Sequence, residues 1–143
     1  MYKRQTFVSW IPLYHDMGLI LSALEAFYVG ACCALMAPAA FVQRPMVWLK
    51  AIQEYRGEIS CVPNFAFDLC VSRFSPQAAE GLDLSSWKVA VNASEPVHAD
   101  TIDRFNRTFA PYGFDPRARS RRRPANPLVR PAKTRDRCQV PTG

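Results

Sequence analysis

The sequence predicts an α/β fold, part of a mostly parallel sheet with flanking helices, from three observations. Apolar residues at helical spacing alternate with short continuous apolar runs, Gly and Pro stand at the joints between them, and no segment repeats another. Alternation of this kind joins parallel strands through right-handed crossovers.

No element is assigned before Trp10. Residues 18–29 place Leu19, Ile20, Ala23, Leu24, Phe27 and Tyr28 at helical spacings, with Gly30 positioned as a left-handed cap, so a helix with a broad apolar face is expected. Residues 31–36 then read as a strand covered on both faces, closed by Pro38 and a loop. Arg44-Pro45 opens a second helix, with Val47, Trp48, Ala51, Ile52 and Tyr55 on one face. Residues 59–62 form the next strand, stopped by Pro63. Asn64 is expected to cap a third helix that buries Phe65, Leu69 and Phe74 and frays over residues 77–81. After a turn at residues 83–86, residues 87–91 give a strand and residues 98–109 a fourth helix aligning Ile102, Phe105 and Phe109. Trp48 and Trp87 are expected in the core.

Charge divides the chain. Residues 1–116 carry nine basic against eleven acidic residues, whereas residues 117–143 carry nine basic against one. The segment 117–143 has few branched aliphatics and no period, so it cannot bury enough apolar area to offset its ordering entropy and is expected to be a disordered basic tail. Out-of-frame translation of a GC-rich gene is an alternative origin, since such frames yield Arg, Pro and Ala. The tail would neutralise several phosphates, yet without interleaved aromatics or a recognisable binding fold no specific nucleic-acid partner is expected.

The five cysteines lack Cys-x-x-Cys spacing and most sit in apolar runs, which fits a reduced, cytoplasmic setting. Residues 26–43 are uncharged over eighteen positions, close to a membrane-spanning length, but Gly30 and Pro38 break the run and no span is expected. No secretory leader is expected either, since residues 1–5 lead straight into Trp-Pro-His-Asp.

The segment Ser9-Trp10-Ile11-Pro12-Leu13-Tyr14-His15-Asp16-Met17-Gly18 packs aromatics, a His-Asp pair and a glycine into a turn ahead of a helix. A structural reading makes Asp16 a cap or dipole partner and leaves His15 one hydrogen bond. A metal site would need further ligands, and His98 is the only other histidine. Asn92-Ala93-Ser94-Glu95-Pro96 follows a strand, where open α/β sheets place ligands, though these residues are also ordinary turn formers. Pro63-Asn64-Phe65-Ala66-Phe67 follows another strand, and spacing does not say which phenylalanine faces a ligand.

Together these segments resemble the fatty acyl-AMP ligases, a branch of the adenylate-forming superfamily. Trp10, Pro12, His15, Asp16, Met17 and Gly18 fall in the order of that family's Trp-x-Pro-x-x-His-Asp-Met-Gly motif, and Pro63 to Phe67 is similar to its Pro-Asn-Phe-Ala-Tyr segment. Asn92 to Pro96 is similar to Asn-Gly-Ala-Glu-Pro, with Ala93-Ser94 where Gly-Ala is usual and glycine would place no Cβ near a nucleotide. The resemblance implies that His15, Asp16, Met17, Gly18, Asn64 and Phe65 line an acyl-adenylate pocket and that Asn92, Ala93, Ser94, Glu95 and Pro96 face the nucleotide. It implies ATP and Mg²⁺ as cofactors, a fatty acid as substrate and acyl carrier protein as an acceptor.

The resemblance covers about residues 7–116 and includes neither a phosphate loop, a Tyr-Gly-x-x-Glu motif nor a C-terminal lysine lobe. Residues 1–116 are therefore expected to be a truncated N-terminal-domain fragment, inactive alone, with no catalytic or metal-ligating residue assigned within it. Two other readings remain: a non-catalytic module that associates through an unfinished sheet, and a nucleic-acid binder acting through its tail.

Overall fold

The computed structural model describes residues 5–118, so the expected tail lies outside the described residues except for Arg117 and Ala118. Four strands, β1 (Thr6–Ser9), β2 (Cys32–Leu35), β3 (Ile59–Val62) and β4 (Val89–Asn92), pair in the order β2-β1-β3-β4, every pair parallel. The mostly parallel α/β architecture is thus as the sequence led us to expect. The register sets Thr6 beside Cys32, Phe7 beside Ile59, and Ile59 beside Val89.

Strand β1 is an addition. Its four residues are too few to show a period of two, and Phe7 and Val8 are both buried, one on each face. Phe7 meets Ala26 and Ile59 in a small cluster, whereas Val8 joins the main core.

The chain leaves β1 through α1, a continuous rod made of Asp16–Gly18, a π-helical stretch Leu19–Leu24, and Glu25–Tyr28. Ser22 Oγ donates to Met17 O five residues back, and Gly30 has the expected left-handed φ of 69°. The expected apolar face is not the buried one. Met17, Gly18, Ser22 and Ala26 face the sheet, while Leu19, Ile20, Leu24, Phe27 and Tyr28 point outward, the last two 85% exposed. Close packing at Gly18 explains the rotation: a Cβ there would lie 2.3 Å from Pro12 O and 2.6 Å from Ile11 O.

Strand β2 is likewise not covered on both faces, since it is an outer strand with Cys32 and Leu35 exposed. Residues after it form a helix, α2 (Pro38–Gln43), rather than a loop, with Pro38 in the tolerated first turn. Helix α3 (Met46–Glu54) buries Trp48, Leu49 and Ile52 but leaves Tyr55 half exposed. Helix α4 (Asn64–Ser72) buries Phe67 and Cys70 and leaves Phe65 exposed. Its N-cap is Pro63, with no side-chain cap bond, so Asn64 is not the expected cap. Residues 77–81 are a packed turn, not a frayed helix end, because Ala79 is buried. Helix α5 (Ala99–Phe109) buries Phe105 and Phe109 as expected, and the short turn Pro116–Ala118 ends the described chain.

Trp48, Phe67, Trp87 and Phe105 form the aromatic centre of the main core, Trp48 and Trp87 lying 5.1 Å apart edge to face. Ser60 Oγ ties it to the sheet, donating to Val8 O at 2.6 Å and accepting from Trp48 Nε1 at 3.1 Å. The β1-to-β2 connection runs one way across the sheet over α1. The later connections run the other way, over α2, α3 and α4 on the opposite face, as right-handed crossovers require. Among the described residues no helix is long and apolar enough to cross a membrane.

Glu25 is the only charged residue between Asp16 and Arg44. Burial lifts its carboxyl above the usual range, and its charge adds to the burial that pushes the Cys61 thiol up to about 12. A raised carboxyl value means the folded state prefers the neutral acid, so this stabilisation is complete below about pH 4 and is lost as pH rises through the folded value. Glu25→Gln is therefore expected to melt higher than the parent at pH 7, the difference closing by about pH 4. Thermal melts of both proteins across that range check it.

Candidate functional site at the carboxyl ends of the strands

The direction of chain crossover reverses between β1 and β3, and an open α/β sheet leaves a crevice at such a point, outside the carboxyl ends of its strands. All three sequence segments singled out above begin there: residues 10–18 follow β1, residues 63–67 follow β3, and residues 93–96 follow β4. They enclose a groove of about 260 Å³. Trp10, Ile11, Pro12, His15 and Met17 line it from the first segment, Pro63 and Phe65 from the second, Ser94 and Glu95 from the third.

Local structure fixes each wall. Trp10 stacks on Phe41 of α2 at 3.9 Å and meets the edge of Phe65 at 5.8 Å, so one wall is a set of rings. Pro12 O accepts from His15 N in a tight turn, and His15 Nδ1 accepts from Met17 N at 3.1 Å. His15, rather than Asp16, therefore caps α1. With Nδ1 accepting, neutral His15 carries its proton on Nε2 as a donor. Asp16 is exposed in the first turn and does not line the groove.

The second and third segments are bonded to each other. Asn64 Oδ1 accepts from Asn92 Nδ2 at 3.0 Å and from His98 N at 3.3 Å. The Glu95 carboxylate accepts from Phe65 N at the start of α4, where the helix dipole favours negative charge. Ala93 N donates to Val62 O, continuing the β3–β4 pairing. The residue with left-handed backbone is Ser94, φ 71°, not Ala93, and such a conformation costs a non-glycine residue about 1 kcal/mol. Among the described residues Trp10 Nε1 and Asn92 Oδ1 are buried without a hydrogen-bond partner.

Of the residues assigned from sequence, His15, Met17, Phe65, Ser94 and Glu95 meet in the groove. Gly18, Asn64 and Asn92 lie behind it as supports, and Pro96 is exposed outside it. Phe65 faces the groove while Phe67 belongs to the core, which separates two side chains that spacing left equivalent. Ile11, Pro12 and Pro63 were not assigned; the tight turn at Pro12 could have signalled the first two. Trp10, quoted only as part of the motif, proves to be a wall.

Asn64→Ala is expected to cost about 1–2 kcal/mol, because it removes a buried acceptor and leaves Asn92 Nδ2 and His98 N without their partner in a partly buried place. Asn64→Asp keeps the acceptor and should lose less. Urea unfolding, together with the His98 amide resonance, checks this.

Fold and groove together define an open α/β protein with a groove at its strand ends, where nucleotide-binding enzymes of this architecture hold their ligands. Residues 1–114 match the family of AMP-binding enzymes, and the chain belongs to that family. It is 47% identical over 108 residues to the medium-chain fatty acid acyl-carrier-protein ligase TtuA of Teredinibacter turnerae, covering 76% of this chain and 17% of that protein. The long-chain fatty acid AMP ligase FadD32 of Mycolicibacterium smegmatis is 46% identical over 116 residues, covering 78% and 18%. A crystal structure of fatty acyl-adenylate ligase from L. pneumophila with acyl adenylate and pyrophosphate superposes with a TM-score of 0.80 at 44% identity, over 83% of this chain and 21% of that one. The chain thus spans about a fifth of the length of the relatives it matches.

Proposed function

We propose that residues 1–116 supply one side of the acyl-adenylate pocket of a fatty-acid-adenylating ligase. The reaction joins a fatty acid carboxylate to the α-phosphate of ATP and releases pyrophosphate. The observation that carries this reading is the meeting of three separate segments, each at the end of a parallel strand, in one groove.

The groove suits part of that reaction. Its ring wall of Trp10 and Phe65 accepts an acyl chain or a flat base, and the His15 Nε2 donor suits a carboxylate or acyl-phosphate oxygen. Charge neutralisation is another matter. No Lys or Arg lines the groove, Glu95 already bonds Phe65 N, and the described residues contain no group of three potential metal ligands. The described residues therefore do not fit Mg²⁺ or a triphosphate, and phosphoryl transfer would draw on groups outside them.

The isolated chain is accordingly expected to hold fatty acid and ATP weakly and to release no pyrophosphate above background when both are supplied. Grafted in place of the matching stretch of a full-length relative, residues 5–114 are expected to support fatty-acid-dependent pyrophosphate release. Turnover by the isolated chain would contradict the incomplete-site reading, and a folded but inactive graft would contradict the pocket assignment. Acyl carrier protein, the acceptor in the name of TtuA, is the acyl acceptor we propose for the whole enzyme.

A further inference from the structure

Helix α4 does not cap its own start. Its N-cap residue is Pro63, whose side chain makes no cap bond, and the amide of Phe65 in the first turn has no carbonyl of its own helix to reach. The partner comes from thirty residues further along the chain, where the Glu95 carboxylate accepts from Phe65 N.

Two fastenings of different character therefore join the start of α4 to the loop after β4. Asn64, which is buried, accepts at Oδ1 from Asn92 Nδ2 and from His98 N and so secures both ends of that loop. Glu95 is exposed and holds the middle of the loop, beside Ser94 with its left-handed backbone. Since the loop ends are held without it, the Glu95 bond is left to govern the part that lines the groove, Ser94 and Glu95 itself.

Phe65 needs such a restraint. Phe67 is fixed by the aromatic core, but Phe65 is 45% exposed and meets only the edge of Trp10 at 5.8 Å and, more distantly, Phe41 at 6.5 Å. Its ring forms a groove wall, and on the loop side its backbone is held by Glu95. We infer that Glu95 is a positioning residue: by accepting from Phe65 N it sets the separation between the Phe65 ring and the Ser94 turn, and with it the width of the groove. Glu95 acts through Phe65 and not on the reacting atoms. Reach decides the effect, because glutamine keeps an acceptor at the same length whereas aspartate is one methylene shorter. The clamp is independent of what the groove binds, and only its consequence for turnover rests on the acyl-adenylate reading.

Two measurements keep these apart. In the full 143-residue chain, Glu95→Ala and Glu95→Asp should speed hydrogen exchange at the Phe65 amide at least about tenfold, and Glu95→Gln should restore most of the protection. Unchanged exchange in Glu95→Ala would overturn the clamp whatever the groove binds. In a full-length relative carrying residues 5–114, Glu95→Ala and Glu95→Asp should raise the KM for fatty acid about tenfold, more than they lower kcat, with Glu95→Gln close to the parent. A lowered melting temperature with no change in that KM would make Glu95 a helix cap serving stability alone and overturn the inference. So would rescue by aspartate but not glutamine, which would mean that the charge itself meets the ligand, or a rise confined to the KM for ATP. A folded parent graft without fatty-acid-dependent turnover would sink the acyl-adenylate reading, while the exchange rates still decide the clamp. Should the graft not fold, the same substitutions are read at the matching glutamate of a relative whose segment is Asn-Gly-Ala-Glu-Pro.

Discussion

Trp48→Ala is expected to lower stability by about 4 kcal/mol, within the range for removing a buried tryptophan. That is a large share of the roughly 5–15 kcal/mol that holds a domain folded. Trp48 has no exposed surface, and its ring meets Phe41 at 5.8 Å, Phe67 at 6.0 Å and Trp87 at 5.1 Å, so truncation opens a cavity where α2, α3, α4 and the β4 approach all meet. It also removes the donor to Ser60 Oγ. Ser60 can still donate to Val8 O, so Trp48→Phe, which keeps an aromatic ring, should cost less than half as much. Urea denaturation followed by circular dichroism separates the two variants. Near-equal midpoints would show that the aromatic contacts carry less than assigned.

Gly18→Ala is the second large effect, and it runs against helix propensity. Alanine in a helix is favoured over glycine by about 1 kcal/mol. Here the new Cβ would sit 2.3 Å from Pro12 O and 2.6 Å from Ile11 O, both backbone atoms that no rotamer change can move. Overpacking of this kind costs about 1–3 kcal/mol and occasionally more, and a clash with backbone belongs at the upper end. A net loss of about 2 kcal/mol is expected. Because Pro12 O also accepts from His15 N, relief of the clash displaces the turn that carries His15. Thermal melts report the stability loss, and the Trp10 and His15 resonances report the displacement. A melt unchanged or raised would mean that α1 does not approach the turn so closely.

Much of the fold was legible in the sequence because its signals were long or sharply punctuated. Helices α3 and α5 carry whole turns of apolar spacing, and β3 and β4 lie between proline, glycine and turn residues. Strand β1 was not legible, since four residues buried on both faces have no pattern until a partner strand is found. Helix α1 was legible as a helix but not in its orientation. Periodicity finds the apolar face but does not say that it is buried, and the decisive contact, Gly18 against Pro12 O, is between residues whose proximity only the turn creates. Strand β2 was misjudged for a related reason: a continuous apolar run signals covering on both faces, and among the described residues the covering is incomplete.

The site was legible as three motifs. Their meeting was not, because it follows from strand order, and strand order depends on β1 lying between β2 and β3. Phe65 and Phe67 could be separated only once the helix phase was fixed, and the Glu95 bond to Phe65 N joins residues thirty apart.

The most direct measurement on the pocket assignment is photo-crosslinking with an acyl-sulfamoyl-adenosine probe bearing a diazirine beside its acyl-carbonyl end. The probe is applied to a full-length relative carrying residues 5–114 of this chain, and the labelled peptides are sequenced. Labels on Trp10, His15, Phe65 or Ser94 are the expected result. Labels confined to residues outside 5–114, with the probe bound, would contradict it.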